Sequence, residues 1–77
     1  MEIKTKFDIG QEVYIVFDDK SILKGEIIGL MCIVGLEKNF VHYECESNGF
    51  SFEEMEENVF LTKEEAEQKL REIENAK

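Results

Sequence analysis

The first part of the chain alternates between apolar and polar positions, as extended strands do. Residues 12–17 divide into two sets that point to opposite faces of a strand, which are Val13, Ile15 and Phe17 and then Glu12, Tyr14 and Val16. The segments 8–11 and 18–21, on either side, are rich in Asp, Gly and Ser and are typical of turns. We therefore predict a first strand over 12–17 with a turn at each end.

A long apolar segment follows from Ile22 to Leu36 and contains three glycines. Each glycine would weaken a helix, whereas glycine within a strand marks a bulge, a tight bend or a close backbone approach. The segment therefore predicts a strongly bent strand from Ile22 to about Gly29 that continues or pairs again through Leu36. One long strand of this kind can serve two sheets in a small barrel.

Residues 39–46 alternate again, and Asn48-Gly49 after them is the strongest short signal for a β-hairpin turn. Phe50 and Phe52 then share one face of a returning strand. We expect the acidic residues 53–58 to form a loop or a single turn. Val59-Phe60 is expected to form a last short strand or a 3₁₀ turn.

The C-terminal segment predicts a helix over 62–75. Thr62 and Glu65 have the spacing of a capping box, and Ala66, Leu70 and Ile73 form a narrow apolar stripe at helical spacing. With a barrel-like sheet over 1–60, residues 1–77 make one domain of the α+β class, mainly antiparallel β. A five-stranded SH3-like (Tudor-like) barrel with one C-terminal α-helix is the first expectation. A curled meander with the helix packed across one open end is the alternative.

The net charge of −9, from 18 acidic and 9 basic residues, changes the picture of possible partners. DNA, RNA and anionic membranes would be repelled, whereas basic protein surfaces would be attracted. The start of the chain lacks the apolar core of a signal peptide, and the longest apolar run is too short to span a membrane, so we expect a cytoplasmic location. There, Cys32 and Cys45 are expected to be free thiols, with one disulfide or a metal site as the alternative.

The largest anomaly in the sequence is the stretch from Asn39 to Thr62, which has no Lys or Arg and contains six glutamates, Glu44, Glu46, Glu53, Glu54, Glu56 and Glu57. One interpretation is a solvated surface that protects a sheet edge or keeps the protein soluble. The other is a docking patch for a basic protein, in its sharpest form a mimic of nucleic-acid phosphates. Tyr14 and Phe40 are the aromatic candidates for exposure in such a binding site.

Other kinds of chemistry find less support in the residues. His42, Glu44 and Glu46 alternate on one strand face and are a weak metal candidate, because three ligands on one flat strand cannot surround an ion. Cys45 points away from His42, and only an approach of Cys32 from a neighbouring strand could form a thiol–imidazole pair. No phosphate-binding loop, nucleotide fingerprint or zinc-knuckle spacing is present. We therefore predict no enzymatic activity and no cofactor.

Two stretches carry a resemblance to known proteins. Phe7-Asp8-Ile9-Gly10-Gln11-Glu12-Val13-Tyr14 resembles the "F-x-I-G-D-x-V-Y" opening of many SH3-like and Tudor-like barrels. Residues 59–67, Val-Phe-Leu-Thr-Lys-Glu-Glu-Ala-Glu, are similar to the "V-F-x-T-[RK]-E-E-A-E" tail of small Firmicutes and phage proteins that place a barrel-like sheet before a helix. The resemblance implies an architecture and a mobile-element origin, and it supplies no catalytic residues.

Three functional hypotheses follow. The first is a protein-interaction module that binds a basic, nucleic-acid-handling protein, in its boldest form a phage or mobile-element inhibitor of the anti-CRISPR or anti-defence type. The second is a structural subunit that self-associates through a sheet edge or the helix. The third is a nucleic-acid-binding small barrel, against which the charge of −9 argues, because phosphate contacts need Lys and Arg.

Overall fold

The computed structural model describes residues 5–76. Their elements, in chain order, are β1 (Glu12–Phe17), β2 (Ser21–Val34), β3 (Asn39–Ser47), β4 (Phe50–Met55), a 3₁₀ turn (Glu56–Asn58), β5 (Val59–Phe60) and α1 (Lys63–Asn75). The first four strands are joined by short turns, and α1 follows the last strand directly. The α+β class predicted from the sequence is confirmed.

All five strands form one antiparallel sheet in the order β4-β3-β2-β1-β5. The chain runs as a meander from β1 to β4 and then returns, so that β5 pairs with the far side of β1. In the described part of the chain, β4 and β5 are the two ends of this sheet and do not pair with each other. The sheet is therefore open, and backbone pairing does not close the barrel that the sequence suggested.

The long strand β2 serves two neighbours, as its glycines predicted. Its first part, up to Glu26, pairs with β1, and its second part, from Glu26 to Val34, pairs with β3. The register shifts between Ile27 and Gly29, where an extra residue forms a bulge. Because a bulge bends its strand and increases the local twist, β2 turns the sheet at this point.

The predicted turns are present, and one loop prediction is wrong. Asn48 and Gly49 both have positive φ, which is the conformation of the two-residue hairpin turn, and Asn and Gly adopt it most easily. Asp18 and Asp19 also have positive φ in the turn before β2. Residues 53–55 belong to β4 rather than to a loop, because they continue to pair with β3, and only 56–58 form the single turn.

The main core lies on one face of the curled sheet. Its buried members come from the N-terminal lead-in and from four strands, namely Phe7, Val13, Ile15, Ile27, Tyr43, Cys45 and Val59. Phe17 at the end of β1 also meets the start of β4, since its ring centroid lies 5.1 Å from that of Phe52. These side chains bring the two separated parts of the sheet together where backbone hydrogen bonds do not.

The helix α1 packs on β1, β2 and β5 through its narrow apolar stripe. Ala66 is fully buried, while Leu70 and Ile73 are partly buried. On β1, Val16 is also fully buried although it points away from Val13 and Ile15, so the sheet has a second, smaller apolar contact on its outer face. At 13 residues with a largely charged sequence, α1 is too short and too polar to cross a bilayer, and it is the only helix longer than one turn within 5–76.

The start of α1 is capped as the sequence predicted. The Thr62 hydroxyl oxygen accepts a hydrogen bond from the Glu65 backbone N–H at 3.2 Å, and the hydroxyl donates to the Glu65 carboxylate at 2.9 Å. In a complete capping box the carboxylate would instead accept from the backbone N–H of Thr62, so the second half of the motif differs.

Replacing Thr62 with alanine is expected to lower the free energy of unfolding by about 1 kcal/mol, because the Glu65 N–H loses its only side-chain acceptor. Urea denaturation followed by circular dichroism measures this change. Thr62→Ser keeps the hydroxyl and should stay close to the wild type. An equal loss in both variants would show that the cap is not the source of the effect.

Candidate functional site

Five glutamates share the outer face of the sheet, the face opposite the main core. Strand register places Glu12, Glu26 and Glu46 side by side on β1, β2 and β3. The same register places Glu44 opposite Glu53 on β3 and β4. Residues paired across antiparallel strands point to the same face and lie about 5 Å apart. We call this set (Glu12, Glu26, Glu44, Glu46 and Glu53) the acidic face.

The acidic face is a row of like charges with little compensation. Like charges directly opposite one another on neighbouring strands destabilise a sheet. Within 5–76, the one side-chain ion pair joins His42 Nδ1 to Glu53 Oε1 at 2.6 Å. No lysine or arginine of the described chain lies within ion-pair distance of a carboxylate. Four of the five members therefore have no ion-pair partner among residues 5–76, and the nearest cation along β2, Lys24, lies on the same face two residues before Glu26.

The structure brings together three of the six glutamates singled out from the sequence and separates the other three. Glu44, Glu46 and Glu53 lie on the acidic face. Glu54 points to the other side of β4, and its Oε1 accepts a hydrogen bond from Asn58 Nδ2 at 2.9 Å. Glu56 and Glu57 lie in the 3₁₀ turn beyond β4. The candidate docking surface is thus smaller than the acidic stretch of sequence and differently composed.

Glu56 takes part in a polar cluster at the end of the core. Its Oε2 accepts a hydrogen bond from the Tyr43 hydroxyl at 2.5 Å and one from the backbone N–H of Lys6 at 3.2 Å. The Tyr43 hydroxyl oxygen in turn accepts from the backbone N–H groups of Lys6, at 3.1 Å, and Phe7, at 3.3 Å. This cluster joins the N-terminal lead-in to β3 and the 3₁₀ turn, so the Glu56 carboxylate has a role inside the fold.

Two groups of the core have raised pKa values. Burial, followed by the hydrogen bond to Glu56, raises the pKa of Tyr43 from 10.0 to about 12. Burial, followed by the charges of Glu54 and Glu44, raises the pKa of Cys45 from 9.0 to about 11. Both groups therefore stay neutral in the folded protein at pH values where they would ionise in the unfolded chain.

The free energy of unfolding is expected to fall as the pH rises from about 9 to about 12, the window between the unfolded and folded pKa values of these two groups. A folded-state pKa raised above the unfolded value stabilises the fold below that window and loses its effect across it. Urea denaturation at a series of alkaline pH values measures the slope. Tyr43→Phe should flatten the upper part of the profile, and an unchanged profile in that variant would contradict the assignment.

The aromatic candidates differ in exposure. Tyr14 is partly buried on the outer face of β1, opposite Lys24. Phe40 is 43% exposed near the start of β3, and the Lys38 ammonium lies 4.9 Å from its ring centroid. Exposed apolar side chains surround Phe40 on the same face, notably Ile33, Met31 and Met55. The acidic face therefore continues along β2 and β3 into an apolar surface.

Sequence reasoning did not include Glu12 and Glu26 in the site. They lie far from the acidic stretch along the chain, and only the pairing of β1 with β2 and of β2 with β3 brings them beside Glu46. Their strand positions were a usable signal, because Glu12 belongs to the outward-pointing set of its strand. The bulge in β2 could not be placed from sequence, and it decides which β2 residues share a face.

The metal and thiol candidates are placed as follows. His42, Glu44 and Glu46 do share one face of β3, and His42 is bonded to Glu53. Within 5–76, no group of three or more His, Cys, Asp or Glu side chains has an arrangement that could hold a metal ion. Cys45 is buried and Cys32 exposed, and neither forms a disulfide. Both pair with residues of the core side of the sheet, Phe52 and Val41, so their side chains point away from His42.

Comparisons with known proteins identify no relative of this chain. No family model matches the chain, and no significant match was found among curated proteins or solved structures. The functional argument therefore depends on the geometry of the acidic face.

Proposed function

We propose that this protein is a non-enzymatic interaction module that uses the acidic face to bind a basic, nucleic-acid-handling protein. The observation that carries this proposal is the row Glu12–Glu26–Glu46, in which three neighbouring strands present carboxylates side by side. No lysine or arginine among residues 5–76 forms an ion pair with any of them. A cationic surface would neutralise the repulsion within this row. Binding would then be favoured by the attraction between the carboxylates and the cationic surface, and also by the loss of the repulsion among the three carboxylates.

The spacing of the carboxylates supports a mimic of nucleic-acid phosphates. Neighbouring strands lie about 4.8 Å apart, and alternate residues of one strand lie about 6.6 Å apart. Glu44 and Glu46 therefore extend the row of carboxylates along β3, at right angles to the row across the strands. Nucleic acids present phosphate charges at a spacing of the same order. Inhibition of a nucleic-acid-binding enzyme of the anti-CRISPR or anti-defence type is the boldest form of this proposal, and the phage-like C-terminal segment is consistent with it.

An SH3-like barrel is the architecture we propose for the sheet. The shared strand β2, the return of β5 to β1 and the contact of Phe17 with Phe52 support a half-open form of that fold. Many barrels of this shape bind nucleic acids, but they do so with Lys and Arg at the contact. On this chain the corresponding exposed sheet face carries carboxylates, which favours a basic protein over DNA or RNA as the partner.

The binding test compares three forms of the protein. In the first variant, Glu26, Glu44 and Glu46 are replaced with glutamine. The matched control carries the same three changes of charge at exposed positions off the acidic face, Glu37, Glu72 and Glu74. Each form is immobilised, and basic nucleic-acid-binding proteins are captured from a bacterial extract, purified and measured individually by calorimetry at low and high salt, with and without duplex DNA.

We expect a captured protein to bind the wild type and the control alike and the acidic-face variant at least about 10-fold more weakly. Added salt and DNA should both reduce binding, since they compete for the same cationic surface. Equal binding of the acidic-face variant and the control would contradict the proposal. So would a partner whose affinity is insensitive to salt.

Glu26→Gln is expected to raise the free energy of unfolding by roughly 0.5 kcal/mol at low salt, because Glu26 has a glutamate on each side. The gain should shrink at high salt, which screens the repulsion. Thermal denaturation at two salt concentrations measures it, with Glu37→Gln in the tip of the β2–β3 hairpin as the control. A stability loss in Glu26→Gln would show that the row is not under repulsive strain.

A further inference from the structure

The second half of β2 and the start of β3 extend beyond the core as a two-stranded projection. From Leu30 to Phe40 every residue is exposed. Apolar side chains nevertheless dominate this region, including Val34, which is 61% exposed, and Phe40, at 43%. The strand β2 in this projection also has a backbone edge with which no described strand pairs.

One edge of the projection has no neighbouring strand among residues 5–76. β1 pairs with β2 only as far as Glu26, and Gly10 and Gln11 extend the contact by backbone hydrogen bonds to Ile27. Beyond that point, β3 lies on one side of β2, and none of the residues 5–76 pairs with it on the other. The seven residues Ile28–Val34, which we call the open edge, therefore have backbone N–H and C=O groups on the side away from β3 that no described residue pairs with.

The open edge has few of the features that normally prevent strand addition. Proteins protect such edges with charged side chains, proline, bulges or very short strands. Ile28–Val34 contains no charged residue and the chain contains no proline. The bulge of β2 involves only the first residue of the segment, Ile28, and leaves the strand from Gly29 to Val34 regular. The outer strands of the sheet differ, because β4 carries Glu53 and Glu54 and β5 has only two residues.

We propose that the open edge pairs with the open edge of a second copy of this chain, antiparallel and related by a two-fold axis near the middle of the segment. Such pairing is self-complementary and closed, so it produces a dimer and not a fibre. It would join the two projections into a continuous sheet across both molecules.

The distribution of charge makes the open edge the place where two copies can approach each other. Two molecules of net charge −9 repel each other over most of their surfaces, and the open edge is the longest stretch of strand without a charged side chain in the described chain. Pairing there opposes no carboxylates. A basic peptide would instead be drawn to the acidic face, since the open edge offers it no counter-charge.

The side chains of the open edge also suit this arrangement. Leu30 and Cys32 pair with Tyr43 and Val41 of β3 and share their face, while Ile33 shares the opposite face with Phe40. In the two-fold dimer, apolar side chains of one copy would lie beside apolar side chains of the other copy on both faces of the joined sheet. Apolar cross-strand pairs stabilise a sheet, so both faces of the joint would contribute.

The test is sedimentation equilibrium over a wide range of concentrations. The wild type is expected to associate reversibly to a dimer. Cys32→Glu places a carboxylate in the middle of each open edge and should weaken the dimer by about 100-fold, because like charges meet across the joint. Cys32→Ser keeps the position uncharged and should dimerise as the wild type does. Leu61→Glu adds the same charge at an exposed apolar position elsewhere and should also leave the dimer intact.

Amide hydrogen exchange identifies the surface that pairs. Residues 28–34 should become protected as the concentration rises, and Cys32→Glu should abolish that protection while circular dichroism shows the same folded monomer. A chain that stays monomeric at all concentrations would overturn the proposal. A dimer without added protection at 28–34, or one unaffected by Cys32→Glu, would place the contact elsewhere and overturn it as well.

Salt separates this proposal from the one on the acidic face. Added salt screens the repulsion between two acidic copies and should strengthen the dimer, whereas it should weaken binding to a basic partner. A dimer weakened by salt would require ion pairs across the joint and would contradict pairing through an uncharged edge. The sedimentation measurement contains no basic protein, so its outcome is independent of the acidic face.

Discussion

Replacing Tyr43 with alanine is expected to lower the free energy of unfolding by about 3–5 kcal/mol, the largest effect of any single substitution considered. Among residues 5–76, Tyr43 is the largest fully buried side chain, and the ring of Phe7 packs edge-on against it with centroids 5.5 Å apart. Its removal leaves a cavity, takes away the side-chain acceptor of the Phe7 N–H, and leaves Glu56 as the remaining acceptor of the Lys6 N–H. For a domain of this size, whose total stability is about 4–11 kcal/mol, the variant would be marginally folded.

Tyr43→Phe separates the packing of the ring from the hydrogen bonds of the hydroxyl. It keeps the ring and removes the donor to Glu56, so we expect a smaller loss, about 1–3 kcal/mol. Urea denaturation followed by circular dichroism gives both values. If the alanine variant lost no more unfolding free energy than the phenylalanine variant, the side chains around Tyr43 would have to relax and fill the cavity. That result would contradict the dense packing of the core.

Gly25→Ala is expected to destabilise the protein by about 2–3 kcal/mol, although it adds a single methyl group. A Cβ atom at Gly25 would lie 2.7 Å from the backbone oxygen of Glu46 and 3.1 Å from Cδ1 of Ile15. The first of these atoms belongs to the neighbouring strand, so β2 and β3 would have to move apart at the centre of the sheet. Chemical denaturation of the variant measures the cost.

Gly29→Ala is the matched control, because it makes the same change four residues later in the same strand. There the atoms nearest to the added Cβ belong to the side chain of Glu44, with Oε2 at 3.0 Å and Cβ at 3.1 Å. The Glu44 carboxylate can rotate away, and its Cβ, which is fixed to β3, has to move by only a few tenths of an ångström. The loss of glycine also restricts the unfolded chain, so we expect a clearly smaller destabilisation than at Gly25. Similar losses at Gly25 and Gly29 would contradict this account of the sheet.

Local signals allowed most of the elements to be predicted. The alternation of 12–17, the Asn48-Gly49 turn and the Thr62 cap each depend on a few neighbouring residues, and each is present in the structure. The end of β4 was missed, because a run of glutamates resembles a loop when only its composition is considered. Those residues remain in a strand because β3 pairs with them, a contact that local sequence does not encode.

The candidate site was only partly predictable, for the same reason. A run of six glutamates in sequence suggested one patch, but alternation along β4 and the turn after it send them in different directions. Glu56 is drawn into the polar cluster around Tyr43. Glu12 and Glu26 join the acidic face through long-range pairing. Closure of the barrel was likewise beyond local signals, because it depends on whether β4 and β5 reach each other.

The pairing of β5 with β1 has a consequence for how the molecule is made. Tyr14 and Ile15 of β1 pair with Phe60 and Val59 of β5. The two β5 residues come after all the other strands in the sequence. During synthesis on the ribosome, the first hairpins can form early, but one flank of β1 stays uncovered until the last strand has left the exit tunnel. The pairing of β1 on both of its sides is therefore completed only after Val59 and Phe60 have been synthesised.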